Sequence, residues 1–232
     1  MVFAQTRFTA FGRLMNSPAK KNEAYQPTNL EQIANCSTHA VFIFPAMAGV
    51  ALMSHLSKTT LHSFVAWLYG IGMVCLFTIS SMFHAVCLSH KFCTLRWFLH
   101  LADRFIIYGF IAASYMPWLL LQDVGYVGET VTWLLWSAAV LGTVYTFVFY
   151  EKYKMIETIL YLVIGICPSF SLFFARESKA VKELAIGGAF YVLGVPMFKC
   201  DGRIPFAHAI WHLFVVCGAA CHFYAVITYL YT

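Results

Sequence analysis

Two histidines near the end of the chain have the spacing of paired metal ligands. His208 and His212 are four residues apart, so on a helix their imidazoles lie on one face, one turn from each other. The same spacing is common among solvated or packed histidines, and alone it is a weak signal. Three further polar residues, Ser80, His84 and Asp103, interrupt stretches that are otherwise apolar.

Together these side chains have the chemistry of a hydrolytic zinc site. With His84 as a third ligand, three neutral imidazoles and one open position form the usual catalytic zinc arrangement. A carboxylate such as Asp103 can accept the proton of an attacking water, and Ser80, one turn before His84, can donate to a developing oxyanion. Two alternatives remain open. In the first, Ser80 bonds back to its own helix. In the second, Asp103 pairs with His100, which faces it on a helix better than Arg104 does.

The composition indicates which elements position these residues. The chain has 232 residues, of which 61% are hydrophobic and only 11% are charged, with a mean hydropathy of +0.73. Soluble domains carry about 25% charged residues. The low charged fraction and the high mean hydropathy of this chain exclude a disordered protein, a nucleic-acid-binding domain and a secreted disulfide scaffold. A transmembrane β-barrel is disfavoured because its strands would alternate apolar and polar residues.

The gaps between charged residues predict an all-α polytopic membrane protein. A spanning helix needs about 20 mostly apolar residues, and seven stretches meet or approach that length. The predicted helices cover residues 38–57, 63–88, 97–121, 130–150, 156–175, 181–198 and 206–230. A basic N-terminal segment, residues 1–30, precedes a seven-helix transmembrane domain that covers residues 31–232.

The basic residues predict the orientation. We call the side of the membrane that holds the N-terminal segment side one. Ten of the 15 Lys and Arg residues fall on side one, four on side two, and Arg104 lies within a helix. Because basic loops stay in the cytosol, side one is predicted to be cytosolic and the C-terminus to be lumenal or extracellular. An Asn-Cys-Ser glycosylation sequon at Asn35 would then be unmodified.

The predicted topology brings the polar residues into one layer. The second helix ends on side one, and the third and seventh begin there, so His84, Asp103 and the pair His208 and His212 lie at similar depths. Ionisable groups inside spans mark function by default. His39 and Asn35 start the first helix on the same side and are predicted to line the mouth of the site.

At these residues the sequence resembles the progestin and adipoQ receptor (PAQR) family, which is related to the hemolysin III proteins. The resemblance covers about residues 30–230. Its matching segments are Ser80 to His84, Asp103 with residues 114–118, residues 204–212 and residues 35–39. Residues 151–154 and 198–206 look closest to the monocyte to macrophage differentiation factor branch.

The resemblance implies seven helices, a cytosolic N-terminus and a zinc ion held by His84, His208 and His212, with Asp103 beside the reacting water. It also implies an intracellular membrane, Golgi or endolysosomal rather than plasma membrane. The predicted function is that of a membrane receptor or signalling scaffold. Its expected partners are membrane lipids (a fatty acid or a ceramide-like lipid) and signalling proteins at the cytosolic face.

Two other functions remain open. The wider superfamily includes alkaline ceramidases, so the alternative is a zinc-dependent lipid hydrolase, a ceramidase-like amidase with an intramembrane site facing the cytosol. A transporter is the least favoured function, because the sequence lacks the repeats that such folds show. A fourth zinc coordination position that lipid can reach would favour the hydrolase. A fourth position closed to lipid would favour a structural role for zinc.

Overall fold

The computed structural model describes residues 14–89, 91–174 and 180–232. Within these ranges all regular structure is helical, and seven helices are long and apolar enough to cross a membrane. The α-helices are α1 (Asn29–Leu56), α2 (Thr60–Ser89), α3 (Cys93–Leu121), α4 (Tyr126–Val148), α5 (Lys154–Ile166), α6 (Val181–Phe198) and α7 (Ala207–Val226). The predicted all-α, seven-span fold is confirmed.

The first helix begins nine residues earlier than predicted. Thr28 caps it, because its hydroxyl accepts the Glu31 amide at 3.2 Å while the Glu31 carboxylate accepts the Thr28 amide at 2.9 Å. This capping box fixes the first turn. The prediction from charge gaps was wrong here because helix α1 extends past its apolar stretch, and the extra turns place Gln32 and Asn35 on the helix.

The fifth helix is α-helical over a shorter length than predicted. It ends at Ile166 and continues as a 3₁₀ helix over Cys167–Phe174. Pro168 explains the change, since proline has no N–H for the α-helical bond and its ring crowds the carbonyl four residues earlier. The remainder of the predicted helix, residue 175, lies outside the described residues.

The helices pack in a ring. Neighbours α1, α2 and α3 are in extensive contact, α7 packs against α1 and α6, and α5 lies against α3 and α4. Contact between α5 and α6 is limited, which leaves a looser junction in the ring. Large apolar side chains such as Phe44 and Trp133 face outward, as expected where lipid replaces water.

The end of the N-terminal segment crosses the side-one end of the bundle. We call residues 14–28 the N-terminal strap. The Tyr25 hydroxyl donates to Glu31 at 2.9 Å, and Lys154 donates to the carbonyl of Glu23. Gly202, at φ 74°, approaches Pro18 so closely that a Cβ there would lie 2.6 Å from the Pro18 Cα. The strap therefore covers the bundle end towards which the site residues lie.

Candidate metal centre

Three imidazoles meet where α2 ends and α7 begins. One ligand atom from each of His84, His208 and His212 lies within 4.8 Å of the others. The rings of His208 and His212 have centroids 4.6 Å apart, and His84 lies 5.3 Å from each. Phe206, in the left-handed region at φ 58°, ends the α6–α7 connection so that His208 falls in the first turn of α7. The three predicted ligands are thus adjacent.

Each of these histidines has an oxygen acceptor at its Nδ1 atom. Nδ1 of His84 lies 2.7 Å from Oε1 of Gln32, and Nδ1 of His212 lies 3.1 Å from the backbone oxygen of Asn35. Nδ1 of His208 lies 3.5 Å from Oδ2 of Asp201. Carbonyl and carboxylate oxygens only accept, and the Thr38 hydroxyl, 3.0 Å from Nδ1 of His212, has the carbonyl oxygens of Ala34 and Asn35 as acceptors for its own proton. The ring protons therefore belong on Nδ1, and the Nε2 lone pairs are left free.

This arrangement suits a metal ion. Metal-bound histidines almost always donate their second ring N–H to a carbonyl or carboxylate, which fixes the tautomer and the ring orientation. Within the described part of the chain, Nε2 of His84 is buried without a hydrogen-bond partner. Three neutral imidazoles with free Nε2 atoms are a donor set that could hold zinc and leave one position open.

The two predicted catalytic residues lie beside this cluster. Asp103 and Ser80 both line the same cavity as the histidines, and the Asp103 carboxyl is close enough to interact with His208 and with the Ser80 hydroxyl. The Ser80 side chain is 1% exposed and makes no hydrogen bond of normal geometry to the described residues. Its neighbour Ser81 is the one that bonds back to its own helix, at Phe77.

The two candidate ion-pair partners of Asp103 are engaged elsewhere. Nδ1 of His100 lies 2.5 Å from the Tyr150 hydroxyl, and Arg104 contacts Glu151 at 2.5 Å and Glu157 at 3.4 Å. No salt bridge to Asp103 is found among the described residues. The Asp103 carboxyl, which lies close to His208 and to the Ser80 hydroxyl, is therefore not part of a structural ion pair with these residues.

A buried ionic network anchors α3 next to the site. Glu151, in the α4–α5 connection and at φ 60°, accepts from Arg104 and lies 2.6 Å from Lys154. Glu157 on α5 accepts from Thr146 at 2.9 Å. Removing two charges from water is unfavourable, and a buried ion pair offsets this free energy only when both groups also have good hydrogen-bond partners. Because Arg104 follows Asp103 on α3, the network fixes the helix that carries the carboxylate.

Two groups that lie next to this network and outside the spans, Tyr150 and Lys199, have shifted pKa values. Burial raises the pKa of Tyr150 to about 12, so its phenol stays neutral at physiological pH. Burial also lowers the pKa of Lys199, whose ammonium donates to the Lys154 backbone oxygen at 3.1 Å.

The residues predicted for the site mouth are located deeper than expected. Asn35 and His39 are 1% and 3% exposed, and the His39 ring stacks on that of His212 with centroids 3.7 Å apart. They form part of the inner wall, because the extra turns of α1 move the helix start outward. Residues of the strap, among them Pro18 and Tyr25, line the same cavity.

A cavity of about 610 Å³ joins the cluster to the loose junction of the ring. It is lined by Gly165 of α5 and by Gly188 and Val192 of α6. A Cβ built at either glycine would meet nothing within 4 Å. The volume is that of a small-molecule pocket. Because the cavity extends between α5 and α6, we expect a route from the bilayer to the histidines at this junction.

Sequence reasoning missed Gln32 and Asp201 as partners of the histidines. The capping box at Thr28 and Glu31 would have placed Gln32 on α1, one turn before the predicted start of the site. Asp201 has no comparable local signal. Its approach to His208 depends on the turn between α6 and α7, where Gly202 also takes a positive φ.

Comparisons with known proteins agree with this architecture. Residues 28–223 match the family model described as Haemolysin-III related. The chain is 46% identical over 222 residues to the human Monocyte to macrophage differentiation factor, covering 95% of this chain and 93% of that protein. It is 31% identical over 207 residues to the Hemolysin-3 homolog of Bacillus subtilis, covering 86% of this chain and 94% of that protein.

Proposed function

Because the chain belongs to the haemolysin-III related (PAQR) family of seven-helix membrane proteins, we propose that it is a zinc-dependent lipid hydrolase with an intramembrane site. The observation that supports it is the set of three imidazoles, each with an acceptor at Nδ1, in a cavity that reaches the α5–α6 junction. The Asp103 carboxyl lies beside them and forms no salt bridge to the described residues. His84, His208 and His212 would hold the ion.

Each side chain has a role in this proposal. His84, His208 and His212 would hold a zinc ion, which would polarise a carbonyl as a Lewis acid and lower the pKa of water. Asp103 accepts the proton of the attacking water and returns it to the leaving group. The Ser80 hydroxyl donates to the oxygen on which negative charge develops. The apolar wall between α5 and α6 binds the acyl chain and excludes bulk water.

A second candidate is a receptor or signalling scaffold on intracellular membranes, Golgi or endolysosomal. Two observations favour it. The mammalian relatives are named as a differentiation factor, and the partners of the histidines come from α1 and from the α6–α7 turn. Zinc would then tie these elements to α2 and α7, with a bound lipid as the signal and proteins at the side-one face as partners.

A reconstituted system distinguishes the hydrolase function from the receptor function. Purified protein in lipid nanodiscs is offered long-chain amides and esters, and released fatty acid is measured beside zinc content. Zinc-dependent release of fatty acid that stops on chelation supports the hydrolase. Absence of release from protein that retains one zinc and binds lipid would refute it and leave the receptor.

A further inference from the structure

The N-terminal strap is a loop whose two ends are tied together. The Thr28 hydroxyl donates to the backbone oxygen of Leu14 at 3.4 Å. The Asn16 side-chain amide donates to the backbone oxygen of Gln26 at 2.8 Å, and the Asn16 backbone amide donates to the Tyr25 hydroxyl at 3.0 Å. Compact surface loops with closed ends keep their own shape and are often functional. The strap can therefore move against the bundle as one unit.

The attachment of the strap to the bundle is shallow. None of its residues is buried, and residues 16–23 are all exposed. Three contacts described above attach it to the bundle, namely Tyr25 with Glu31, Pro18 with Gly202 and Glu23 with Lys154. Segments with little buried apolar surface and exposed hydrogen bonds open at a free energy well below that of global unfolding. We therefore expect the strap to lift while the helices stay folded.

The strap forms one wall of the cavity that contains the histidine cluster. Its cavity-lining residues are Pro18, Ala19, Ala24, Tyr25, Gln26 and Pro27. The strap lies outside the spans, across the side-one end of the bundle, so it stands between the cavity and the water on that side. Lifting the strap would open the cavity to this water.

The docking point of the strap lies next to the candidate metal centre. Pro18 packs on Gly202, whose positive φ and close approach leave no room for a Cβ. The preceding residue, Asp201, lies 3.5 Å from Nδ1 of His208, and Tyr25 is close enough to interact with the Asp201 carboxylate. The strap is therefore seated on the same turn that contacts a candidate ligand.

We propose that the strap is a hinged lid on the side-one end of the cavity, closed in this structure, which opens to admit water and water-soluble molecules to the histidine cluster. The purpose of this lid rests on the proposed function, because a hydrolase must admit water and release a polar product while its lipid arrives through the bilayer. The opening itself is a property of the strap and needs no turnover. Lids that move in this way shield a reaction from bulk water.

The test measures access to Cys87, a cavity-lining thiol of α2 that is 7% exposed. Protein in nanodiscs is treated with a charged methanethiosulfonate, which reacts from the water on either face and does not cross lipid. Mass spectrometry of peptides gives the modification rate of Cys87, and the exposed Cys93 in the same sample is the reference. When opening and closing are fast, the rate at Cys87 is proportional to the open fraction of the lid.

The variant Gly202→Ala should open the lid, because a Cβ there would lie 2.6 Å from the Pro18 Cα. The modification rate of Cys87 should rise about 10-fold or more, the effect of losing a contact of this kind. Gly125→Ala is the matched control. Gly125 also has a positive φ, 63° against 74°, but a Cβ there would meet nothing within 4 Å. Its variant should share the backbone strain and leave the rate at Cys87 unchanged.

The variant Tyr25→Phe should open the lid without backbone strain, and it serves if Gly202→Ala folds poorly. It removes the hydroxyl that donates to the Glu31 carboxylate at 2.9 Å. The rate at Cys87 should rise about 10-fold, the effect of one hydrogen bond to a charged group. Tyr153→Phe is its control, because Tyr153 is an exposed side-one tyrosine that does not line the cavity.

The remaining outcomes are also decisive. Unchanged rates at Cys87 in both strap variants would overturn the lid, and so would equal rises in Gly202→Ala and Gly125→Ala, since strain would then explain them. Faster modification in the strap variants, with no fatty acid released by the wild type, would uphold the lid and refute the hydrolase. Fatty acid release with a rate at Cys87 that does not depend on the strap would refute the lid and leave the hydrolase.

Discussion

The side-chain oxygen of Gln32 lies 2.7 Å from Nδ1 of His84, across the contact between α1 and α2. Because a carbonyl oxygen can only accept, the His84 proton belongs on Nδ1, and Nε2 is left to face His208 and His212. A residue of the first helix thus sets the tautomer of a candidate ligand on the second. This relationship leads directly to the metal chemistry of the site.

The first prediction concerns metal content. Purified protein should contain about one zinc per chain, since three imidazoles and an open position suit that ion. His208→Ala together with His212→Ala should reduce the content to near zero, because one imidazole cannot retain it. Elemental analysis measures both. His55→Ala, an exposed histidine on side two, is the control, and full zinc in the double variant would rule out the assignment.

The second prediction concerns Gln32. Gln32→Leu keeps the size of the side chain and removes the acceptor of the His84 proton. Zinc affinity should fall about 10- to 100-fold, the usual effect of losing such a partner. Competition with a chelator of known affinity measures the change. Gln122→Leu, at the far end of α3, should leave the affinity unchanged. An unaltered affinity in Gln32→Leu would argue against metal binding through Nε2 of His84.

The third prediction separates catalysis from scaffolding. Asp103→Asn keeps size and hydrogen bonding but cannot accept a proton from water. Zinc content and melting temperature should change little, and fatty acid release should fall by roughly 10²–10⁴. Asp123→Asn, an exposed side-two residue, should behave as wild type. Equal release by wild type and Asp103→Asn would remove this carboxylate from the mechanism.

The fourth prediction tests the route between α5 and α6. Gly188→Phe places a bulky side chain in the gap, where a Cβ has no neighbour within 4 Å, so folding should be unaffected. Lipid binding should weaken by on the order of 10-fold, about 1.4 kcal/mol. Gly109→Phe has equal room and does not line the cavity, so it is the matched control. If both variants lose the same lipid affinity, the route does not run between α5 and α6.

The fifth prediction is the orientation. From the basic residues, side one should face the cytosol. In sealed vesicles whose cytosolic face is outward, protease should remove an N-terminal tag and spare a C-terminal one, and an impermeant maleimide should label the exposed Cys93. Protection of the N-terminal tag from protease would show the opposite orientation, with side one facing away from the cytosol. The Asn35 sequon does not test orientation, because that side chain is buried within α1.

Local chemistry made much of this protein predictable. Seven apolar stretches predict seven spans because the bilayer requires about 20 apolar residues to cross it. Alternation of the spans then brings His84 and the pair His208 and His212 to one depth, and helical periodicity puts that pair on one face. The residues of the candidate metal centre follow from these local rules, as does the position of Asp103 beside them.

The surroundings of those residues were decided by the tertiary structure. The contacts of Gln32 with His84 and of Asp201 with His208, the stacking of His39 on His212 and the ionic network at Glu151 all depend on how helices rotate about their axes and how loops turn. Helix rotation is set by side chains packing across interfaces, and loop turns by backbone torsions such as the positive φ of Gly202. Hydropathy and residue spacing carry no information about either. The sequence by itself therefore determined the spans and the candidate ligands, and only packing decided the partners that orient them.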